Sequence, residues 1–429
     1  MSHGFRETGR TTLSESVYVA RHRHRGGLTA IVCPDPATPL CSVQIWYRVG
    51  SADEVTGQTG IAHLFEHLMF NRTASVATGE FDRLIEEVGG DCNAATWVDW
   101  TSYSITVPKS ELELALRLES DRMVNLMLDE EVLEAEREVV LNERLERVDD
   151  DIAGFLDEEL GKLAFECHPY GRPTIGFEKD IRNLDLETII GFYRNYYAAN
   201  NAVVVVAGGI GETEALAAID SYFGELRAGA SRSRALPAEP TQTQQRRREF
   251  VRETRTARLV YGYKIPGQGH PDWPVLAALA GLLAGGPSAR LTRDLVAERE
   301  IASYADCEVL PFSDPTLFRV SAAGTLGTDV ATLGKALDES LGALLADAIS
   351  ALEMEKVKSS LETDFWIELE TADGKAEALG HYETAHGDYQ MLFTLAERMR
   401  QIDAADLIRV ARTYLQPSSR TVVSASGPA

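Results

Sequence analysis

Cysteine is scarce and unpaired in this 429-residue chain: Cys33, Cys41, Cys92, Cys167 and Cys307 are odd in number and scattered, with no CxxC pair. Neither a disulfide framework nor a cysteine-built zinc site is indicated, and the pattern suits a reducing compartment. Positive charge is short as well, with 42 Lys and Arg against 66 Asp and Glu and a net charge of −24. That balance excludes the basic footprint that nucleic acid or an anionic membrane surface requires, and suits cationic ligands or an acidic, solubilising surface. Long apolar runs are missing: the longest, around Val275 to Ala284 and Val203 to Ala207, fall far short of a membrane span. The start of the chain, MSHGFRETGRTTLSESVYVA, has neither the apolar core nor the small-residue cleavage site of an export signal, so a cytoplasmic protein is expected. What is left is the composition of a soluble globular protein, long enough for two or three domains.

Within this background the stretch Gly60 to Phe70, GIAHLFEHLMF, packs His63, Glu66 and His67 into five residues. On a helix, residues four apart lie one above the other, so both imidazoles can aim at one point, with Glu66 beside them. The remaining residues are apolar, so the helix is expected to be buried on most sides, where polar groups need partners. Two imidazoles at this spacing suit Zn²⁺, and the carboxylate is placed to take a proton from water that the metal activates. A structural zinc site would add cysteines and close the coordination sphere, so this one has catalytic character.

Around that helix the chain reads as mixed α and β. Short β-branched or alternating runs from Val17 to Val49, separated by turn residues, predict strands of one antiparallel sheet. Thr59 is the expected N-cap of the histidine helix, and Phe81 to Val88 a second helix stopped by Gly89 and Gly90. Asn93 to Val107 alternates and predicts one strand. Helices follow over about Glu111 to Leu126 and, after an Asp129 cap, from Glu130 to beyond Val148.

In that last helix Val132, Leu133, Val139 and Val140 form an apolar stripe, and Glu136 and Glu143, two turns apart, fall in its middle. A carboxylate on a core face costs several kcal/mol unless it is neutralised, so the pair is expected to face a cation. The competing reading is a pair of glutamates bridged to arginines of a neighbouring helix.

Farther on, DLETIIGFYRNYYAANNAVVVVAGG (Asp185 to Gly209) returns as DAADLIRVARTYLQPSSRTVVSASG (Asp403 to Gly427), offset by 218 residues. Both read as helix, turn, strand, and two halves that end alike indicate an internal duplication. The expected domains are 1–227, bearing the metal site, and 249–429, joined by a linker at 228–248 without hydrophobic periodicity. In the second half an apolar helix, Trp273 to Ala284, stands where the histidine helix stood; His381 and His386, five apart, read as packing residues.

These residues resemble the pitrilysin family of inverted zinc peptidases (inverzincins), which includes insulin-degrading enzyme and the mitochondrial processing peptidase. The family signature is HxxEH followed about 76 residues later by a glutamate in an ERxVVxxE-like run. Here that run is Glu136 to Glu143, and Glu143 lies 76 residues past His67. The resemblance implies an α+β fold of two homologous domains, each an antiparallel sheet flanked by helices, forming half of a clamshell chamber. It implies that His63, His67 and Glu143 bind Zn²⁺, that Glu66 is the general base, and that Glu136 holds the site in shape. Asn93 and Ala94 resemble the family's NAxT segment, whose strand edge receives the peptide backbone; His168 to Gly171 resembles its HPYG segment. One departure stands out. Active members carry an arginine and, seven residues on, a tyrosine in a run like SRLxxxLRExxxLAY, whereas here those positions of Ser288 to Tyr304 hold Val296 and Ser303. A shift of one recovers Tyr304 but puts Ala297 in place of the arginine. The expectation is therefore a zinc endopeptidase acting on short or unfolded peptides, completed by a homologous zinc-free subunit in a heterodimer, with a homodimer ranked behind it. A leader-peptide processing enzyme, a non-catalytic scaffold subunit of the same family and a zinc enzyme of non-peptide chemistry are the alternatives.

Overall fold

The protein is described by a computed structural model covering residues 4–226, 228–229 and 234–428. It forms two compact units: Met1–Glu143, Pro173–Ala235 and Trp366–Leu392 make the first, and Arg144–Arg172, Leu236–Phe365 and Phe393–Ala429 the second.

Unit 1 contains the strands β1 (Phe5–Thr12), β2 (Tyr18–His24), β3 (Thr29–Pro34), β4 (Leu40–Tyr47), β5 (Asp91–Thr96), β6 (Thr101–Pro108) and β7 (Ala202–Gly208). They form one sheet in the order β1-β2-β3-β7-β4-β6-β5. Unit 2 contains β8 (Arg246–Val251), β9 (Arg258–Ile265), β10 (Ala302–Val309), β11 (Thr316–Gly324) and β12 (Arg420–Ser426), ordered β10-β11-β9-β12-β8. The helices of the first half are α1 (Ile61–Leu68), α2 (Glu80–Glu87), α3 (Leu112–Asn125), α4 (Glu130–Arg144), α5 (Ile152–Ala164), α6 (Glu178–Asn183), α7 (Leu186–Tyr196) and α8 (Glu212–Phe223). Those of the second are α9 (Trp273–Ala284), α10 (Val330–Ala346), α11 (Ala351–Glu368), α12 (Ala372–His386), α13 (Met391–Gln401) and α14 (Ala404–Tyr414).

The duplication is visible in the sheets. Beside β1 and β2, the series β3-β7-β4-β6-β5 has the topology of β8-β12-β9-β11-β10, and the first pair of each series is parallel. Asp185 caps α7 by accepting from Thr188 N at 2.8 Å, and Asp403 caps α14 by accepting from Asp406 N at 3.0 Å. Each helix then feeds an interior strand, the valine-rich β7 or β12, whose side chains are buried on both faces.

Several expectations change. The sheets are mixed rather than purely antiparallel, because β7 and β12 arrive after helical crossovers and can enter beside β3 and β8 in the same direction. Asn93 to Val107 is a hairpin, β5 and β6, closed by a bond from Trp97 N to Trp100 O at 2.9 Å. Residues 230–233 of the expected linker lie outside the described residues, and its last three residues belong to β8. The linear halves also differ from the compact units by an exchange. Helix α5 belongs to unit 2, where it packs on β12 and β9, and α12 belongs to unit 1, where it packs on β4 and β7. Polar pairs fix α12 in place: the fully buried Glu383 carboxylate meets Arg21 at 2.8 Å, Lys375 meets Asp35 at 3.0 Å, and Asp373 accepts from Ser42 and Gln44 at 2.9 Å. At Gly380 the backbone passes so close to Trp46 that a Cβ would lie 2.1 Å from the indole nitrogen. Among the described residues, no helix is long and apolar enough to cross a membrane.

Candidate metal centre

Helix α1 is short, and its start is built from an unexpected residue. Gly60 precedes it in the left-handed region at φ 87°, where a Cβ would also lie 2.6 Å from the Ile175 carbonyl oxygen. The cap is supplied by Glu54, a buried carboxylate that accepts from Gly60 N and Ala62 N, each at 3.0 Å. Thr59, the expected N-cap, instead donates to Asp180 at 2.7 Å and accepts from Phe177 N at 3.0 Å, tying the entry of α1 to the start of α6. Ile61, Ala62, Leu64, Phe65 and Leu68 are buried, leaving His63, Glu66 and His67 on the remaining face.

Helix α4 starts as expected, with Asp129 Oδ1 accepting from Val132 N at 3.0 Å. Leu133 and Val140 are buried, while Val139, expected in the same stripe, is 49% exposed. It lies between Glu136 and Glu143 on the side of the helix that those acids share. Both acids lie against the imidazoles of α1. Glu143 Oε2 lies 3.6 Å from His63 Nε2 and 3.4 Å from His67 Nε2. Glu136 turns one oxygen toward His67 Nδ1 at 3.7 Å and accepts from Asn71 Nδ2 at 2.9 Å with the other.

His63, His67 and Glu143 thus offer donor atoms that all lie within 4.8 Å of one another. In a tetrahedral zinc site with bonds of about 2.1 Å, neighbouring ligand atoms are separated by about 3.4 Å. The two Glu143 distances fit that spacing, and Glu136 stands where a partner for the outer imidazole nitrogen is needed. The electrostatics agree. Burial pulls the pKa of His67 down, but the Glu143 hydrogen bond and the charges of Glu66, Glu143 and Glu136 outweigh it and raise the imidazole above its ordinary value. The carboxylates that draw positive charge onto this half-buried ring would also favour a cation between them.

Glu66 is half-buried on the same helix, and its charge adds to the burial that raises the pKa of Tyr103 and Tyr197, whose hydroxyls lie 3.2 Å apart. Asn93 and Ala94 sit on β5, which ends the sheet order and, among the described residues, pairs only with β6, and α1 packs beside it. Asn71, Glu54 and the tyrosine pair were missed by the sequence reading. Asn71 lies four residues after His67 but beyond the end of α1, where helical spacing no longer marks it; the others come from distant segments.

In unit 2, His168 to Gly171 forms a tight turn whose histidine accepts from Tyr170 N at 3.3 Å. In the run Ser288 to Tyr304, Val296 packs on the second core, Ala297 is exposed, and the Ser303 hydroxyl donates to Ala323 O at 3.3 Å beside a bulge of β10. Tyr304 is 38% exposed on the edge strand.

Residues 30–178, which hold the whole cluster, match the family model described as Insulinase (Peptidase family M16), and residues 183–361 match that of the Peptidase M16 inactive domain. The chain is 31% identical over 413 residues to the zinc protease PqqE of Helicobacter pylori, across 95% of this chain and 93% of that one. This chain belongs to the M16 peptidase family. The resemblance read from the two motifs is thus a family membership extending over nearly the whole sequence. Among other M16 relatives, it is similar to the mitochondrial-processing peptidase subunit beta of Blastocladiella emersonii, at 26% identity over 94% of this chain and 87% of that protein. The crystal structure of a protease from Helicobacter pylori superposes with a TM-score of 0.90 at 31% identity, covering 95% of this chain and 98% of that one. A peptidase M16 inactive domain from Pseudomonas fluorescens shares the fold, at TM-score 0.86 and 18% identity.

Proposed function

We propose that this M16 chain is a zinc-dependent endopeptidase that hydrolyses peptide bonds in short or unfolded peptides. The observation that carries the proposal is the approach of one Glu143 oxygen to the Nε2 atoms of both histidines, 3.6 and 3.4 Å away. His63, His67 and Glu143 would hold the ion. When bound, zinc lowers the pKa of water and polarises a scissile carbonyl. Glu66 accepts the proton of the attacking water and delivers it to the leaving amine. Glu136, steadied by Asn71, fixes the ring of His67 by its outer nitrogen. The peptide backbone pairs with the free edge of β5 at Asn93 and Ala94, which sets the scissile bond beside α1.

The same proposal includes a second subunit. Val296 and Ser303 stand where an oxyanion-stabilising arginine and tyrosine are expected, and loss of such donors costs about 10²–10³ in rate. A homologous zinc-free chain supplies the pair and completes a closed peptide chamber, and the heterodimer works in the cytoplasm. Full activity from a homogeneous single-chain preparation would refute the partner.

The absent pair also favours a second reading, a scaffold subunit that does no chemistry. One substitution separates the two. E66Q should keep stoichiometric zinc while hydrolysis of an unstructured peptide falls by at least about 10²-fold. Normal turnover by the zinc-loaded variant would remove Glu66 as base, and wild-type protein without zinc would favour the scaffold. Cleavage at a single site of a leader peptide, with unrelated peptides untouched, would narrow the activity to processing.

A further inference from the structure

Hairpin tips ordinarily carry small polar residues, but the connection from β5 to β6 is Trp97-Val98-Asp99-Trp100. Three of the four are accounted for by burial. Trp100 is 8% exposed, packs on Trp46 at 4.5 Å between ring centres, and donates its indole N–H to His381 Nδ1 at 3.1 Å. Val98 is buried, and the buried Asp99 carboxylate pairs with Arg234 at 2.7 Å. Trp97 differs, with 38% of its surface open to solvent.

That indole stands on a rigid base. Its backbone N–H donates to Trp100 O at 2.9 Å and its carbonyl accepts from Ser51 N at 3.0 Å; Arg234 also holds the Val98 carbonyl at 3.1 Å. Its ring leans on Trp100, 6.1 Å between centres. An exposed aromatic whose backbone is already fixed binds an apolar group at little entropic cost. Trp97 directly follows the last residue of β5, the edge strand on which α1 packs, so a strand added to that edge from the metal centre runs toward it.

We propose that Trp97 forms a subsite for an apolar, preferably aromatic, side chain of the peptide that pairs with β5. The subsite rests on the peptidase reading above, which supplies the occupant. From Asn93 to Trp97 is four residues, about 13 Å of strand, so the side chain lies about four residues from the one opposite Asn93.

The test uses the full chain as the zinc-loaded E66Q variant and fluorescein-labelled decapeptides of Ala, Ser and Lys in which one Phe is walked through the positions. Binding followed by anisotropy should tighten roughly tenfold over the alanine peptide at one position. W97A should abolish that gain and W97F should keep it, with both variants first matched to the parent in thermal melting. The subsite is overturned if no position gains, if the gain survives in W97A, or if W97A weakens every peptide equally, which would make the indole a prop for the hairpin. Hydrolysis by the wild-type chain together with its homologous zinc-free subunit separates the two ideas: turnover without a Trp97-dependent gain removes the subsite alone, and a Trp97-dependent gain without turnover of any peptide removes the peptidase reading alone.

Discussion

At the scale of single residues, the site is a question of where acids can be tolerated. Glu136 and Glu143 project from a helix that also buries Leu133 and Val140, and each meets an imidazole. The division of labour proposed for them predicts different losses. E143Q should abolish stoichiometric zinc binding, whereas E136Q, which leaves the three donor atoms in place, should weaken zinc affinity about 10–100-fold in competition with a chromogenic chelator. Equal losses for the two variants would contradict the assignment. Both glutamates were legible because helical periodicity places them on an apolar stripe, and the histidines because their spacing is one helical turn. Asn71 was not, since one amide just beyond the end of a helix carries no periodic signal. The stripe also misled at Val139, which is exposed because the side of α4 carrying the two acids is not a closed core.

At the scale of elements, what holds α1 is a carboxylate seven residues ahead of its first residue. Glu54 fills the role assigned to Thr59, bonding two of the orphan N–H groups of the first turn while buried itself. E54A should therefore destabilise unit 1 by about 2–3 kcal/mol in urea unfolding and loosen zinc binding with it, since His63 lies in that turn. A T59A substitution should leave zinc affinity much less affected, because its hydroxyl serves the junction with α6. The cap was illegible because glycine at φ 87° lets the chain double back, bringing Glu54 over the helix end from a distance no capping box spans. Hairpin β5–β6 was hidden for a related reason: Trp97 to Trp100 has no glycine, proline or asparagine to mark the turn, so two strands read as one. In contrast, the Asp185 and Asp403 caps were plain, as each sits directly before its own helix.

At the scale of the whole molecule, the duplicated sheet topology followed from the repeated helix, turn and strand, but the exchange of α5 and α12 did not. Nothing local tells a helix which sheet it will cover; the choice lies in pairs hundreds of residues apart, such as Arg21 with Glu383. A similar distant tie shapes unit 2. Glu239, from the expected linker, accepts from the backbone N–H groups of Glu166, Cys167 and His168 at 2.9, 3.1 and 3.0 Å and pairs with Lys264. Burial opposes its ionisation, but Lys264 and the three amides prevail and lower its pKa from 4.5 to about 2. A carboxyl whose pKa is depressed on folding stabilises the fold above its unfolded value and loses that contribution as pH falls toward its folded one. Unfolding followed by circular dichroism should show wild type more stable than E239Q at neutral pH, with the gap closing between pH 4.5 and about 2. A gap independent of pH would contradict the pairing. The central claim, that two imidazoles and the Glu143 carboxylate share one ion, is tested most directly by anomalous diffraction at the zinc edge from crystals of the zinc-loaded protein. A single peak bonded to His63 Nε2, His67 Nε2 and Glu143 at about 2.0–2.2 Å is expected; a zinc peak elsewhere, or one bonded to the histidines with Glu143 turned away, would rule the shared ion out.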